Sequence, residues 1–151
     1  MSGRTLPTVI KINRGTMKST RVNPHEPKSP LGAPPRPSYL SKEEREVWDS
    51  YAAILLGMRV LTKNDGAALE QLACSTAEAN RLRAVIRKKG NTYETTTPQG
   101  STMVRPRFEV GMLRAVNCEV AMLLARFGLT PGDRPNVSAA PDPESNPDDI
   151  F

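Results

Sequence analysis

Aromatic residues make up only 5% of the 151-residue chain, so a core here has to be packed from Leu, Val, Ala and Met. Cysteine is almost as scarce: Cys74 and Cys118 stand alone, 44 residues apart, each inside an apolar-periodic segment. That is the usage of small buried hydrophobes, not of a disulfide or a metal site. The one histidine, His25, lies in a proline-flanked stretch without a Ser or Cys arranged beside it. One His and two distant Cys do not approach zinc-ligand spacing. Carboxylates are scattered over segments already rich in Lys and Arg, so no general acid–base pair stands out. The chain reads as a non-enzyme with no cofactor.

No run approaches the ~18 consecutive apolar residues of a transmembrane helix. The N-terminus lacks the apolar block of a signal peptide. The expectation is therefore a cytoplasmic chain, in which the sequon-like Asn136-Val-Ser138 carries no meaning. A nucleotide site is missing too, although "GTMKST" invites one. A phosphate-cradling loop needs G-x-x-x-x-G-K-[ST], because glycines let backbone N–H groups converge on phosphate oxygens. Ending that motif on Lys18-Ser19 requires glycine at positions occupied by Ile12 and Met17, and no apolar-periodic helix follows. The P-loop reading fails.

What is present is charge of uneven distribution. The net charge of +5 divides into +6 over residues 1–37, +2 over 38–89, +1 over 90–128 and −4 over 129–151. Proline follows the same division: seven of fourteen lie in residues 1–37, five after 130, and none between Ser38 and Thr97. This predicts a basic, extended arm (1–37), a folded middle (38–130) and an acidic tail (131–151). A basic arm and an acidic tail suggest two different partners, nucleic acid being the natural one for the basic end.

In the middle, Ser41-Lys-Glu-Glu44 reads as a capping box, followed by Val47, Trp48, Tyr51, Ile54, Leu55 and Met58 at helical spacing, with Gly57 near the end. A second helix is expected from Thr62, with Asp65 in its first turn, the stripe Leu69, Leu72, Thr76, Ala79, Leu82 and Ile86, and a stop at Gly90. Thr92–Thr96, the turn Pro98-Gln-Gly100 and Ser101–Val104 read as a β-hairpin. Pro106 fits the first position of a third helix with the stripe Val110, Leu113, Val116, Val120, Leu123/Leu124 and Phe127. Gly128 stands where a left-handed C-cap belongs, with Leu129 as its hydrophobic contact and Pro131 preventing continuation. The expected fold is mainly α: three helices with one β-hairpin between helices 2 and 3.

The order of these signals resembles the phage terminase small-subunit family over roughly residues 6–134. The likeness is carried by "LPTVIKINRG", "EPKSPLGAPPRPSYLSKEEREVW", "LTKNDGAALEQL", "YETTTPQGSTMVRP" and "LLARFGLTPGDR". Three places depart from the family pattern. Thr16-Met17-Lys18 replaces an Asn-Pro-Gly-Lys-like run, Arg105 replaces an Asn, and Gly132-Asp133-Arg134 replaces a Ser-Arg ending. The resemblance implies a non-catalytic protein that forms a ring-shaped homo-oligomer, binds viral double-stranded DNA near the packaging start, and delivers it to a large terminase subunit holding the ATPase and nuclease. It also implies action in the cytoplasm of the infected bacterial host, with no membrane partner.

Three basic groups are candidate DNA contacts. The arm offers Lys11, Arg14, Lys18, Arg21 and Lys28, three to seven residues apart, which sets extended neighbours ~10–23 Å apart. Single contacts to separate phosphates fit that spacing, and five of them predict a log–log salt slope near −4.5; the alternative is a solvated tail. Arg83, Arg87, Lys88 and Lys89, joined by Arg81, could line a channel or simply complement a helix C-terminus. Arg105 and Arg107 follow the hairpin. In the tail "PDPESNPDDIF", the pair Ile150 and Phe151 could dock on the large subunit, against the plainer reading of a solubilising segment. Met58, Met103, Met112 and Met122 read as gap-fillers. Two other functions fit the same chain: a dimeric helix-turn-helix regulator, for which only Asn64 and Gln71 offer base-reading side chains early in the second helix, and an adaptor that binds no DNA.

Overall fold

Helix α1 (Lys42–Gly57) starts on the expected capping box. The Ser41 N–H donates to Glu44 Oε2 at 2.8 Å, and the Glu44 N–H donates to Ser41 Oγ at 3.4 Å. This satisfies donors that the first turn of a helix leaves orphaned. The computed structural model describes residues 30–137 and 139, and within it α1 turns Trp48 and Leu55 inward against Leu40, Leu61, Leu69 and Ala73. Ile54, expected on the same stripe, is instead 47% exposed. Gly57 is the last helical residue, near the end as expected. The helix ends in a Schellman arrangement, Val60 N–H to Leu55 C=O at 3.2 Å and Arg59 N–H to Leu56 C=O at 2.9 Å. Arg59 takes the left-handed position, with φ 57°.

The prolines before α1 lie along the corner between the first two helices. Gly32 N–H reaches Leu61 C=O at 3.1 Å, Lys63 N–H reaches Pro30 C=O at 3.0 Å, and Pro34 is buried. Arg36 pairs with Asp49 on α1.

The second helix opens with a single 3₁₀ turn (Lys63–Asp65) before α2 proper (Gly66–Lys89). Asp65 Oδ2 accepts from the Thr62 N–H at 2.8 Å and the Thr62 hydroxyl at 2.6 Å, closing that turn. The sequence shows one apolar stripe, but α2 buries Leu69, Leu72, Ala73, Ser75, Ala77, Ala79 and Leu82, which wrap around more than one face. The reason is its place: α1 and α3 both pack along α2 and make no extensive contact with each other. Small side chains on α2 let two neighbours approach it closely.

After Gly90 the chain forms an antiparallel ribbon, β1 (Thr92–Thr96) with β2 (Thr102–Pro106), in the register Thr92↔Pro106 to Thr96↔Thr102. Pro106 therefore ends a strand and does not open the third helix. An edge strand tolerates the missing N–H of proline, and the helix starts two residues later. Arg107 holds the N-cap position of α3 (Phe108–Arg126). The expected stripe of α3 faces α2, yet only Leu123 is fully buried. Cys118 corrects another expectation: it is exposed, on the side of α3 away from α2, while Cys74 is half-buried.

Gly128 closes α3 as the sequence predicts, with φ 67°, Leu129 N–H on Leu124 C=O at 2.9 Å and Gly128 N–H on Ala125 C=O at 3.0 Å. Phe127 and Leu129 then pack on the core formed by α1 and α2. A Cβ at 128 would stand 2.6 Å from Val137 Cγ2, whereas one at Gly57 would meet nothing within 4 Å. Gly128→Ala is therefore expected to cost about 1–2 kcal/mol or more from left-handed strain and the clash. Gly57→Ala should stabilise by about 0.5 kcal/mol. Urea unfolding followed by Trp48 fluorescence measures both, and equal effects would contradict this account of the two glycines.

Candidate nucleic-acid interface

The basic residues of α2 fall into two groups of different chemistry. Arg81 and Arg83 are engaged. Arg81 Nη2 lies 3.0 Å from Glu44 Oε1 and its Nε 3.6 Å from Glu78 Oε2, tying α2 to the start of α1. Arg83 donates to Asn80 Oδ1 at 2.9 Å and to Asn117 Oδ1 at 2.7 Å, so its guanidinium bridges α2 and α3. One turn further on, Arg87, Lys88 and Lys89 are exposed. They sit in the last turn, where cations complement the negative end of the helix dipole.

The fold then joins this cluster to the one after the hairpin. Arg107 Nε donates to the Lys89 carbonyl at 3.2 Å, and the Arg107 N–H to the Asn91 carbonyl at 2.9 Å. The guanidinium of Arg107 stands over the Tyr93 ring, 5.7 Å from its centroid, a cation–π distance. Arg105 lies directly across the ribbon from Tyr93. Two clusters separate in sequence thus make one patch of five cations: Arg87, Lys88, Lys89, Arg105 and Arg107. None of the five makes an ion pair with another described residue. Such a surface attracts a polyanion.

Tyr93 was not among the residues singled out from sequence, since its role depends on the strand register that places it opposite Arg105. The arm cations Lys11, Arg14, Lys18, Arg21 and Lys28, and the tail pair Ile150 and Phe151, lie outside the described residues. Among the described residues no group of His, Cys, Asp and Glu is arranged to hold a metal ion, and no helix is long and apolar enough to cross a membrane. Burial pushes the Cys74 thiol up, away from the reactive thiolate range.

A family model described as phage terminase, small subunit (Terminase_4), matches residues 45–144. The chain belongs to the phage terminase small-subunit family. The matched range takes in α1 from Arg45 onward, α2, the ribbon and α3, and so the whole of the cationic patch. Terminase small subunits work in phage DNA packaging, and that role extends to this small subunit through its membership. No match was found among curated proteins or among solved structures.

The division of the basic residues is open to measurement. Removing the Arg83 bridge with Arg83→Ala is expected to cost about 1–2 kcal/mol, because two amide oxygens lose a charged donor. Lys88→Ala and Lys89→Ala should stay within about 0.5 kcal/mol of the parent. The capping box adds a pH signature. The Glu44 carboxyl is held below its usual range, first by the Ser41 N–H and hydroxyl and then by Arg81. A depressed carboxylate contributes stability above its unfolded pKa of ~4.3 and loses it as pH falls through the folded value. Stability should therefore decline below about pH 4 more steeply in the parent than in Glu44→Gln; parallel acid profiles would remove Glu44 from that account.

Proposed function

We propose that this chain is the non-catalytic DNA-recognition subunit of a packaging terminase. It binds viral double-stranded DNA near the packaging start as a ring-shaped homo-oligomer. It then delivers that DNA, in the cytoplasm of the infected host, to the large subunit that carries the ATPase and nuclease. The observation that carries this reading is the patch of Arg87, Lys88, Lys89, Arg105 and Arg107, without an ion pair among the described residues, on a member of this family.

The patch supplies sequence-independent attraction through counterion release. The arm cations Lys11, Arg14, Lys18, Arg21 and Lys28 add further phosphate contacts, and Arg83, where its hydrogen bonds yield, a further one. Ring formation is supported by the helical layer. The side of α3 away from α2 leaves Phe108 79%, Met112 37% and Met122 49% exposed, with Ala115 and Cys118 between them. A helix apolar on both sides asks for cover on both. A head-to-tail contact between copies, repeated with a closing rotation, makes a ring. The tail ending in Ile150 and Phe151 is the proposed attachment to the large subunit. A helix-turn-helix reading is disfavoured because α2 is flanked by α1 and α3. Its Gln71 amide donates to Glu119 of α3 at 2.7 Å, where a recognition helix would need it facing DNA.

Two measurements test the proposal. Native mass spectrometry at moderate salt should show a single closed species well above a tetramer; a dimer would return the regulator to the front. Fluorescence anisotropy of duplex DNA should give a log–log salt slope of about −4.5 for each patch that engages five phosphates. Each alanine at Lys88, Lys89 or Arg105 should then lessen that slope by about 1. A slope near zero would leave only the adaptor.

A further inference from the structure

The ribbon β1–β2 has no evident part in holding the fold together. Its strands pair with each other and pack extensively on no other element. All of its ten strand residues except Thr95 are exposed. A two-stranded ribbon in water is marginally stable by itself, so a surface left bare on both faces is suited to a partner. We propose that this ribbon enters the major groove of duplex DNA, with Gln99 leading and the basic patch at its base gripping the flanking phosphates. The assignment rests on the DNA-binding reading above and names the element that performs it.

The polar tip and strand ends, more than the exposed Met103 and Val104 between them, favour DNA over a protein partner. The ribbon and its turn expose Thr92, Thr96, Ser101 and Thr102, with Gln99 at the tip. These are hydroxyl and amide groups that bond to phosphates and base edges. Tyr93 and Arg105 share one face by register, and Glu94 is the single acid of the strands.

The tip is built so that its backbone turns inward. Thr97 N–H donates to Ser101 C=O at 2.8 Å, Gly100 N–H to Thr97 C=O at 2.9 Å, and Ser101 N–H to Thr97 Oγ1 at 3.1 Å. Gln99 is exposed there and has no hydrogen-bond partner among the described residues. Its amide matches the adenine N6/N7 pair.

Dimensions agree. Two strands ~4.8 Å apart, with their side chains, fit a major groove ~12 Å wide. Five residues at ~3.4 Å reach ~17 Å, about twice the ~8.5 Å groove depth, so the base of the ribbon stands outside the rim and its long Lys and Arg side chains extend toward the flanking phosphates. That base carries Arg87, Lys88, Lys89, Arg105 and Arg107. The competing occupant is the ribbon of a second copy, paired edge to edge. With both ribbons pointing the same way, that pairing would bring two such cationic clusters together, and none of their cations has an ion pair among the described residues.

The test uses the full-length protein saturating a mixed-sequence duplex of about three helical turns, ~30 base pairs, treated with dimethyl sulfate. Guanine N7 lies in the major groove, so bound parent protein should lower its methylation. A variant in which Asn-Gly replaces Glu94–Val104 joins the opposed, hydrogen-bonded pair Tyr93 and Arg105 in a two-residue turn. Trp48 fluorescence checks that it folds. It should still bind through the patch with a salt slope within about 1 of the parent, while N7 methylation returns to the free-DNA level. The milder Gln99→Ala should keep the parent slope and lose about fivefold to a hundredfold on the tightest-bound sequences, the range for one base-edge pair. Unchanged N7 methylation under bound parent, or protection that survives in the shortened ribbon, overturns the groove assignment and leaves phosphate binding standing. A shortened ribbon that lowers the native mass assigns the ribbon to contact between copies and overturns it equally. Absence of any DNA binding by the parent removes both readings.

Discussion

Everything in this fold is placed by the burial of α2 on two sides. Leu69, Leu72 and Leu82 supply the apolar bulk, and Ala73, Ser75, Ala77 and Ala79 supply surfaces small enough for neighbouring helices to come close. Because α1 and α3 each use α2 and barely use each other, the helices make an open layer, not a closed bundle. Length completes the effect. At ~1.5 Å per residue, the 24 residues of α2 outrun the 16 of α1 by roughly 12 Å. The far end of α2 therefore emerges from the core, and the ribbon continues outward from there.

That projection explains why similar cations along one helix have different fates. Arg81 and Arg83 lie where neighbours still flank α2, and Glu44 of α1 and Asn117 of α3 answer them. Arg87, Lys88 and Lys89 lie beyond the reach of α1, in the last turn. The same chemistry holds the layer together on one stretch and presents a field to solvent on the next. Arg107 links the two ends of the ribbon base by its hydrogen bond to the Lys89 carbonyl and its stacking on Tyr93.

Local signals were legible in the sequence because they depend on residues within one turn of each other. The capping box of Ser41 and Glu44, the left-handed Gly128 with Leu129 behind it, and the hairpin all formed where expected. What escaped depends on neighbours distant in sequence. The second buried face of α2 exists only because α3 lies there, and Ile54 and Cys118 point away from partners that a single-helix pattern cannot supply. Pro106 was ambiguous by nature, since its fixed φ suits both the end of an edge strand and the start of a helix. Arg59 shows the reverse limit. Nothing about an arginine announces a left-handed residue. Of the interface, the cations were legible one by one, but their union into a patch was not, because it hangs on the register that sets Tyr93 across from Arg105.

The open layer and the exposed patch bear on each other within the proposed ring. A single patch of five cations binds DNA weakly at physiological salt, since counterion release is its main driving force and salt erodes it. Copies held together raise one another's effective concentration at the duplex, so the assembly can bind firmly while every subunit stays weak. Weakness per subunit would also have a use under the proposed hand-over of DNA to a motor. Contacts made one at a time can be released one at a time, with no step that costs the whole binding energy. On this view the uncovered side of α3 and the uncovered ribbon are complementary features of one design: the first gathers copies, and the second gives each copy its modest share of the DNA.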